Sequence, residues 1–373
     1  MMHLASVQPK QNLRVLALAA YPASAAATRY RLSQLRGPLA GHGIQLDVRP
    51  FLSNEEVAHL YSRGFTRKAA AVTRGLARRG RDLYDWRRFD VVLVQREAML
   101  VGPPIVEWLL GAVASRPLVL DIDDPVWLPE QSQVPSALSK LRRWPGKIAW
   151  LLSHATLVTC GNGVLAGHVG SLGLRARLVP NGIDVARLHP ATKHQEIGGL
   201  PTVGWIGSHT TYSYLESVFP ALEAVGRRFP FRLLIIGSGR MSASVAGVPT
   251  EIRPFVLERE AEDFASLDVG LYPLADDPWA RGKSGLKALQ YLAVGIPYVA
   301  SPVGVVADIG IPGTTHLEAT ENEQWELALT CLLGDPGLRA TMGASGRRYA
   351  ELNYTVEQSA TAMAAALLEA ASA

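Results

Sequence analysis

The sequence predicts an α/β protein made of two doubly wound parallel-sheet domains in tandem. Three observations predict it. Short apolar runs rich in Val, Leu and Ile alternate with longer amphipathic stretches, as βαβ units around a parallel sheet require. The alternation pauses near residues 180–200, where strand signals stop and Pro, Gly and His gather, and then it restarts. The chain of 373 residues exceeds what one core ordinarily supports, and at 48% hydrophobic and 19% charged residues it holds apolar material for two.

In the first half, strands are expected at 13–18 (LRVLAL), 45–48, 91–94 (VVLV), 118–120 and 157–159. Helices are expected over 30–42, closing at a glycine, and over 104–114, with Pro104 in the first turn. In the second half, strands are expected at 202–206 (TVGWI), 232–236 (RLLII), 252–255, 269–272 and 298–300. Helices fill 214–228, 261–265, 285–293 and 323–333. An Ala-rich helix over 356–371 closes the chain. The expected division is a first Rossmann-like domain over 1–185, a second over 186–352, and a terminal segment over 353–373 packing back on the first.

Composition excludes several classes. The 37 basic and 33 acidic residues leave a net charge of +4, too mild to argue for nucleic acid. Cys160 and Cys331 lie far apart, form no metal-ligand pattern and suit a reducing compartment. The N-terminal stretch MMHLASVQPKQN lacks the apolar run of a signal peptide, and no run reaches the roughly 18 apolar residues of a membrane span. A cytoplasmic setting, with or without contact to the inner face of a membrane, is expected. No G-x-G-x-x-G follows a strand, and Walker A, serine-elbow and zinc-helix motifs are absent.

The strongest local signal is GKSGLKALQ, residues 282–290, followed by YLAVGIPYVASPVG. A glycine-containing polar turn runs into a helix, and a helix N-terminus offers unpaired N–H groups and a positive dipole end that suit phosphate. Lys283 and Lys287, four residues apart, are expected on one helical face; an ordinary solvated lysine face fits the same spacing. The second signal is DIDDPVW, residues 121–127, directly after the strand LVL. Acidic residues outside a strand's carboxyl end lie where ligands of open α/β sheets bind. Asp121, Asp123 and Asp124 suit a general base, a hard metal ion or a helix cap in a solvated turn.

After the first strand, YPASAAATRYR (21–31) reads as a small polar loop in which Arg29 and Arg31 either approach an anionic ligand or begin an exposed helix. Residues 63–88 hold nine basic side chains, Arg63, Arg67, Lys68, Arg74, Arg78, Arg79, Arg81, Arg87 and Arg88, interleaved with Phe65, Val72, Leu76, Leu83 and Trp86. KLRRWPGKIAW (140–150) joins basic groups to tryptophans. Such segments suit either an anionic membrane surface or plain surface helices with cationic faces.

Here a resemblance becomes specific. The run K-x-x-x-K-A-L-Q-Y-L-A-x-G-I-P-x-V-A-S-P-V-G from Lys283 resembles the donor-site segment of family 4 glycosyltransferases of the GT-B type. VPNGID (179–184) resembles their interdomain turn, and GWIGS (204–208) the glycine loop after the first strand of their second domain. The three landmarks stand in the family's order, and the likeness runs from about residue 13 to the C-terminus, densest in the second half.

The resemblance implies two Rossmann-like domains facing a cleft and a nucleoside diphosphate sugar (UDP-, GDP- or dTDP-linked) bound mainly by the second. It implies no metal and no further cofactor. Donor contacts fall on Gly207, Ser208, His209, Asp276, Asp277, Arg281, Lys283, Ser284, Gly285, Lys287 and Gln290, with Gln290 near the ribose. Lys283 and the Asp121, Asp123 and Asp124 group are the catalytic candidates, Asp123 standing where relatives commonly carry a histidine. The sugar would pass, with retention of anomeric configuration, to a hydroxyl of a saccharide, lipid-linked or small-molecule acceptor. The departing phosphate oxygen would help remove the acceptor proton.

Departures are visible. Gly282 and Gln290 stand where many relatives carry glutamates, and His209, Thr210, Thr211 and Tyr212 where an Arg and a Lys are common. Asp276 and Asp277 are the expected substitutes for the first pair, and Lys283, Lys287 and Arg281 for the second. The competing readings are a GT-B hydrolase or phosphorylase, a non-catalytic partner subunit, and a peripheral membrane protein.

Overall fold

The structure, a computed structural model, describes residues 12–60, 65–128, 144–188 and 199–373. It is α/β, with two six-stranded sheets in two compact units. The described residues before Ile183, joined by Val356–Ala373, make the first unit, and those of Ile183–Thr355 the second.

The first sheet holds β1 (Leu13–Ala19), β2 (Ile44–Pro50), β3 (Val91–Gln95), β4 (Leu118–Ile122), β5 (Leu157–Cys160) and β6 (Ala176–Leu178), in the order β2-β1-β3-β4-β5-β6. Every neighbouring pair is parallel. Both faces are covered, which is why these strands read as continuous apolar runs rather than alternating ones. Leu16, Leu18, Val92, Val94, Leu120 and Ile122 face one core. Val15, Ala17, Leu93, Val119 and Leu157 face the other, where helix Val356–Ala371 lays Ala360, Met363, Ala364 and Leu367 against them.

The second sheet holds β7 (Thr202–Ile206), β8 (Arg232–Ile236), β9 (Thr250–Arg253), β10 (Val269–Tyr272), β11 (Tyr298–Ala300) and β12 (Leu317–Glu318), in the order β12-β11-β10-β7-β8-β9, again all parallel. One face buries Val203, Trp205, Leu233, Ile235 and Leu271. Helix Leu286–Val294 covers the other, where the Tyr291 hydroxyl donates to the carbonyls of Gly204 and Leu271 at 3.3 and 3.1 Å.

Local differences from the sequence reading have local causes. The single helix expected over 30–42 is three pieces, Ala26–Arg31, Ser33–Leu35 and Arg36–Gly41. Pro38 has no N–H to donate, so it falls in the first turn of a new helix. The expected helix 214–228 is likewise Tyr212–Glu216 and then Phe219–Gly226, with Pro220 in the opening turn. Strand 252–255 is Thr250–Arg253, because Pro254 cannot continue the ladder. Among the described residues no helix is long and apolar enough to cross a membrane.

Candidate functional site

In the second sheet, β7 leads to β8 and β9 on one side, and β10 leads to β11 and β12 on the other. The strand order therefore reverses between β7 and β10. At such a point the loops leave in opposite directions and open a crevice at the carboxyl ends, the usual ligand position of an open α/β sheet.

From β7 comes Gly207–Ser208. A side chain at 207 is impossible without displacement, since a Cβ would sit 2.2 Å from the Trp205 ring. Ser208 caps the turn His209–Thr211: its Oγ lies 2.7 Å from Thr210 Oγ1, and its N–H faces Thr211 Oγ1 at 3.4 Å. Ser208 and His209 are exposed.

From β10 comes the other wall. Asp276 is exposed and takes a two-pronged ion pair from Arg281, at 2.6 and 2.8 Å, which holds its carboxyl below the usual range. Asp277 caps the short helix Pro278–Arg281, accepting from Ala280 N at 2.8 Å and from the Tyr214 hydroxyl at 2.9 Å. Gly282, Lys283, Ser284 and Gly285 then form a loop, and the next helix starts at Leu286.

One expectation is corrected here. Lys283 and Lys287 do not share a helical face, because Gly285 adopts φ +67° and any Cβ there would meet Ile309 at 2.3 Å. Lys283 lies on the loop with Nζ 5.9 Å from the Trp279 ring centroid. Lys287 lies in the helix's first turn, with Nζ 5.4 Å from the Trp205 ring and 5.3 Å from the Tyr272 ring. It therefore bridges β7 and β10 at the point of reversal. Gln290, expected near the ribose, is buried, and its amide donates to Glu260 Oε1 at 2.9 Å. Glu260 in turn pairs with Arg187.

The first sheet reverses between β1 and β3. Around its strand ends the charges meet one another. Asp121 is fully buried at the end of β4, and it accepts from Arg31 Nη2 at 2.5 Å, Arg31 Nε at 3.1 Å and Thr159 Oγ1 at 2.7 Å. Arg31 also donates to the Val179 carbonyl and to Asn181 Oδ1. Asp121 is thus a structural anchor out of a ligand's reach, and Arg31 is neither an anion contact nor the start of an exposed helix. Arg29 closes the loop after β1 by donating to the Ser24 carbonyl at 3.1 Å.

Asp123 and Asp124 share one guanidinium, accepting from Arg96 Nε at 2.5 Å and Arg96 Nη2 at 2.6 Å. Burial alone would raise the Asp123 carboxyl, but Arg96, aided by Arg31, brings it below the ordinary value. Arg96 follows β3 with φ +58°, a conformation costly for a residue with a side chain and common at functional sites. Sequence reasoning missed Arg96; the available signal was an arginine close behind the apolar run of a strand, VVLVQR.

The basic segment also changes meaning. Phe65–Asp85 is one helix. Arg74 and Arg78 bind Glu56, and Arg79 is buried, donating to the carbonyls of Ala98 and Ala19 and to Asp82. Arg79 thus serves the interior of the first unit, while Arg74 and Arg78 are surface arginines partnered by Glu56. Arg63 and residues 140–143 lie outside the described residues. Trp144, Trp108 and Ile105, each about half exposed, meet Trp150, Pro103, Pro104 and Lys147 around a shallow apolar recess.

Residues 200–335 match the family model described as Glycosyl transferases group 1. Among curated proteins, the chain is 25% identical over 199 residues to a GDP-mannose-dependent monoacylated alpha-(1-6)-phosphatidylinositol monomannoside mannosyltransferase of Corynebacterium glutamicum. That match covers 48% of this chain, and it spans about half (52%) of the relative. Among solved structures, the fold is that of sucrose-phosphate synthase from Thermosynechococcus elongatus (TM-score 0.66, 16% identity, 95% of this chain and 97% of that one). It is also that of Anabaena Alr3699/HepE in complex with UDP and glucose (TM-score 0.65, 15% identity, 95% and 98%) and of a glycosyltransferase from Rickettsia africae ESF-5 (0.68, 11%, 97% and 99%).

Proposed function

We propose, from the premise that this chain has the GT-B fold and carries the group 1 glycosyl transferase match over its second unit, that it is a glycosyltransferase using a nucleoside diphosphate sugar. The observation that carries the reading is the convergence on the β7–β10 reversal of a turn with no side chain at Gly207 and of a lysine laid across both strands. Small backbone and nearby cations are what a diphosphate requires.

In this reading the diphosphate rests against Gly207 and Ser208, with His209, Ser284 and Gly285 bordering it. Lys283 and Lys287 stabilise the charge that grows as the bond from the anomeric carbon to the phosphate oxygen breaks. The acceptor oxygen forms the new bond to that carbon, and its proton passes to the departing phosphate oxygen. The products are a glycoside of retained configuration and a nucleoside diphosphate. Asp123 and Asp124, fixed by Arg96, are the acceptor-side carboxylates, while Asp276, Asp277 and Arg281 shape the donor loop through their own pairing.

The name of the Corynebacterium glutamicum relative supports a GDP-sugar and a lipid-linked acceptor, and the Anabaena complex supports a UDP-sugar. The exposed Trp108, Trp144 and Ile105 favour an acceptor presented at a lipid surface, since tryptophan prefers that interface. One observation favours a non-catalytic partner subunit instead: Gly282 has no side chain and the Gln290 amide is bonded to Glu260, so neither offers the sugar a carboxylate.

Release of nucleoside diphosphate from UDP-, GDP- and dTDP-hexoses, with alkyl glycoside and glycolipid acceptors, separates the two. Turnover of one donor to an anomerically retained product is the expected result. Donor binding without any release would replace the transferase with the partner subunit.

A further inference from the structure

The geometry points to Arg240, in the loop after β8, as a residue that binds the diphosphate of the donor, a contact made from a different loop than the sequence motifs suggest. The inference rests on the donor reading above and deepens it.

The β8 loop lies directly on the glycine turn. A Cβ on Gly237, which has φ +79°, would stand 2.3 Å from the Gly207 carbonyl oxygen, and one on Gly239 would stand 3.2 Å from His209 Cβ. Only glycine lets the two loops approach so closely. Between them Ser238 is wholly buried, and its Oγ accepts from the Arg240 N–H at 3.2 Å, which fixes the direction in which the arginine leaves the loop.

The Arg240 guanidinium lies 5.2 Å from the Tyr212 ring centroid. Tyr212 meets Trp205 edge to face at 6.2 Å, and Lys287 Nζ lies 5.4 Å from the Trp205 ring centroid. Arg240 and Lys287 therefore each lie against one ring of an aromatic pair whose Trp205 ring abuts Gly207. A ring face attracts a cation without neutralising it. Among the described residues Arg240 makes no ion pair, and its side chain is exposed. Arg281, the cation expected from sequence, is bound on both prongs by Asp276. A planar guanidinium with paired N–H donors suits two phosphate oxygens.

The test is titration calorimetry on the full chain. It uses whichever of UDP, GDP, ADP and dTDP binds most tightly, beside the matching nucleoside, with wild type, Arg240→Ala and Arg240→Lys. Arg240→Ala is expected to weaken the diphosphate about 10- to 100-fold, the range for hydrogen bonds to charged groups. Nucleoside affinity should not change, the salt dependence should flatten, and Arg240→Lys should recover part of the loss. The exposed side chain predicts an unchanged ligand-free melting temperature, which checks folding. Wild-type diphosphate affinity in Arg240→Ala overturns the role of Arg240 and leaves the donor reading standing. An equal loss for nucleoside and diphosphate also overturns it, since that is loop scaffolding. Failure of the wild type to bind any of the four diphosphates overturns the donor reading, and this inference with it.

Discussion

At the strand ends of the first sheet the charged side chains meet one another, Arg31 with Asp121 and Arg96 with Asp123 and Asp124. At those of the second sheet Lys283, Lys287 and Arg240 lie against aromatic rings. The chemical consequence differs. Paired charges fix a shape and cancel most of their field, so the first set of strand ends is held in one arrangement. Arg240, which makes no ion pair among the described residues, keeps its charge against the ring, and that suits the diphosphate proposed above. On the proposed reading, the same strand-reversal geometry would serve two kinds of ligand, an acceptor at the first sheet and the donor at the second.

The largest effect is expected from breaking the buried pair. Arg31→Ala leaves Asp121 charged and enclosed, a situation that costs about 3–5 kcal/mol, and urea denaturation measures it. The exposed Arg240→Ala should cost nothing in the same experiment. Equal effects would erase the distinction between the two crevices.

A smaller effect, with a definite pH dependence, is expected at Arg96. Asp123 has its carboxyl depressed in the folded state. Its pairing therefore contributes stability above the ordinary carboxylate value of about 3.9, and that contribution is lost as pH falls through the folded value. Arg96→Ala should raise the Asp123 carboxyl, because burial then acts without its main cation. The stability gap between wild type and variant should be wide at pH 7 and begin to narrow as the variant's raised carboxyl takes up its proton. It should close only as pH falls through the depressed wild-type value. A gap that does not vary with pH would mean that Arg96 acts through packing.

The fold class was legible because both sheets are buried on two faces, so VVLV, LVL and RLLII stand out as short apolar runs bounded by turns. The edges were less legible. β6 (Ala176–Leu178) and β12 (Leu317–Glu318) carry exposed or half-exposed residues and show no apolar run. The helix Pro336–Asn353 was missed because its apolar positions are sparse and glycines interrupt it. At the site, the glycine turn and both lysines could be named from motif order, but not their geometry. The left-handed Gly285 that separates Lys283 from the helix depends on Ile309, which lies distant in sequence. Arg31, Arg79 and Arg96 were illegible as internal groups because an arginine's partners come from other strands. Charge in a sequence reads as surface until the fold supplies a carboxylate.

On the proposed reading a nucleoside diphosphate binds at the β7–β10 reversal with Lys283 beside it. The most direct measurement is the thermal shift of wild type and Lys283→Ala with UDP, GDP, dTDP, ADP and CDP. A ligand at one hundred times its dissociation constant stabilises by about 2.7 kcal/mol, a shift of several degrees. One base should stand out, and its shift should shrink or disappear in Lys283→Ala. A folded wild type that responds to none of the five, or a shift that Lys283→Ala retains in full, would contradict it.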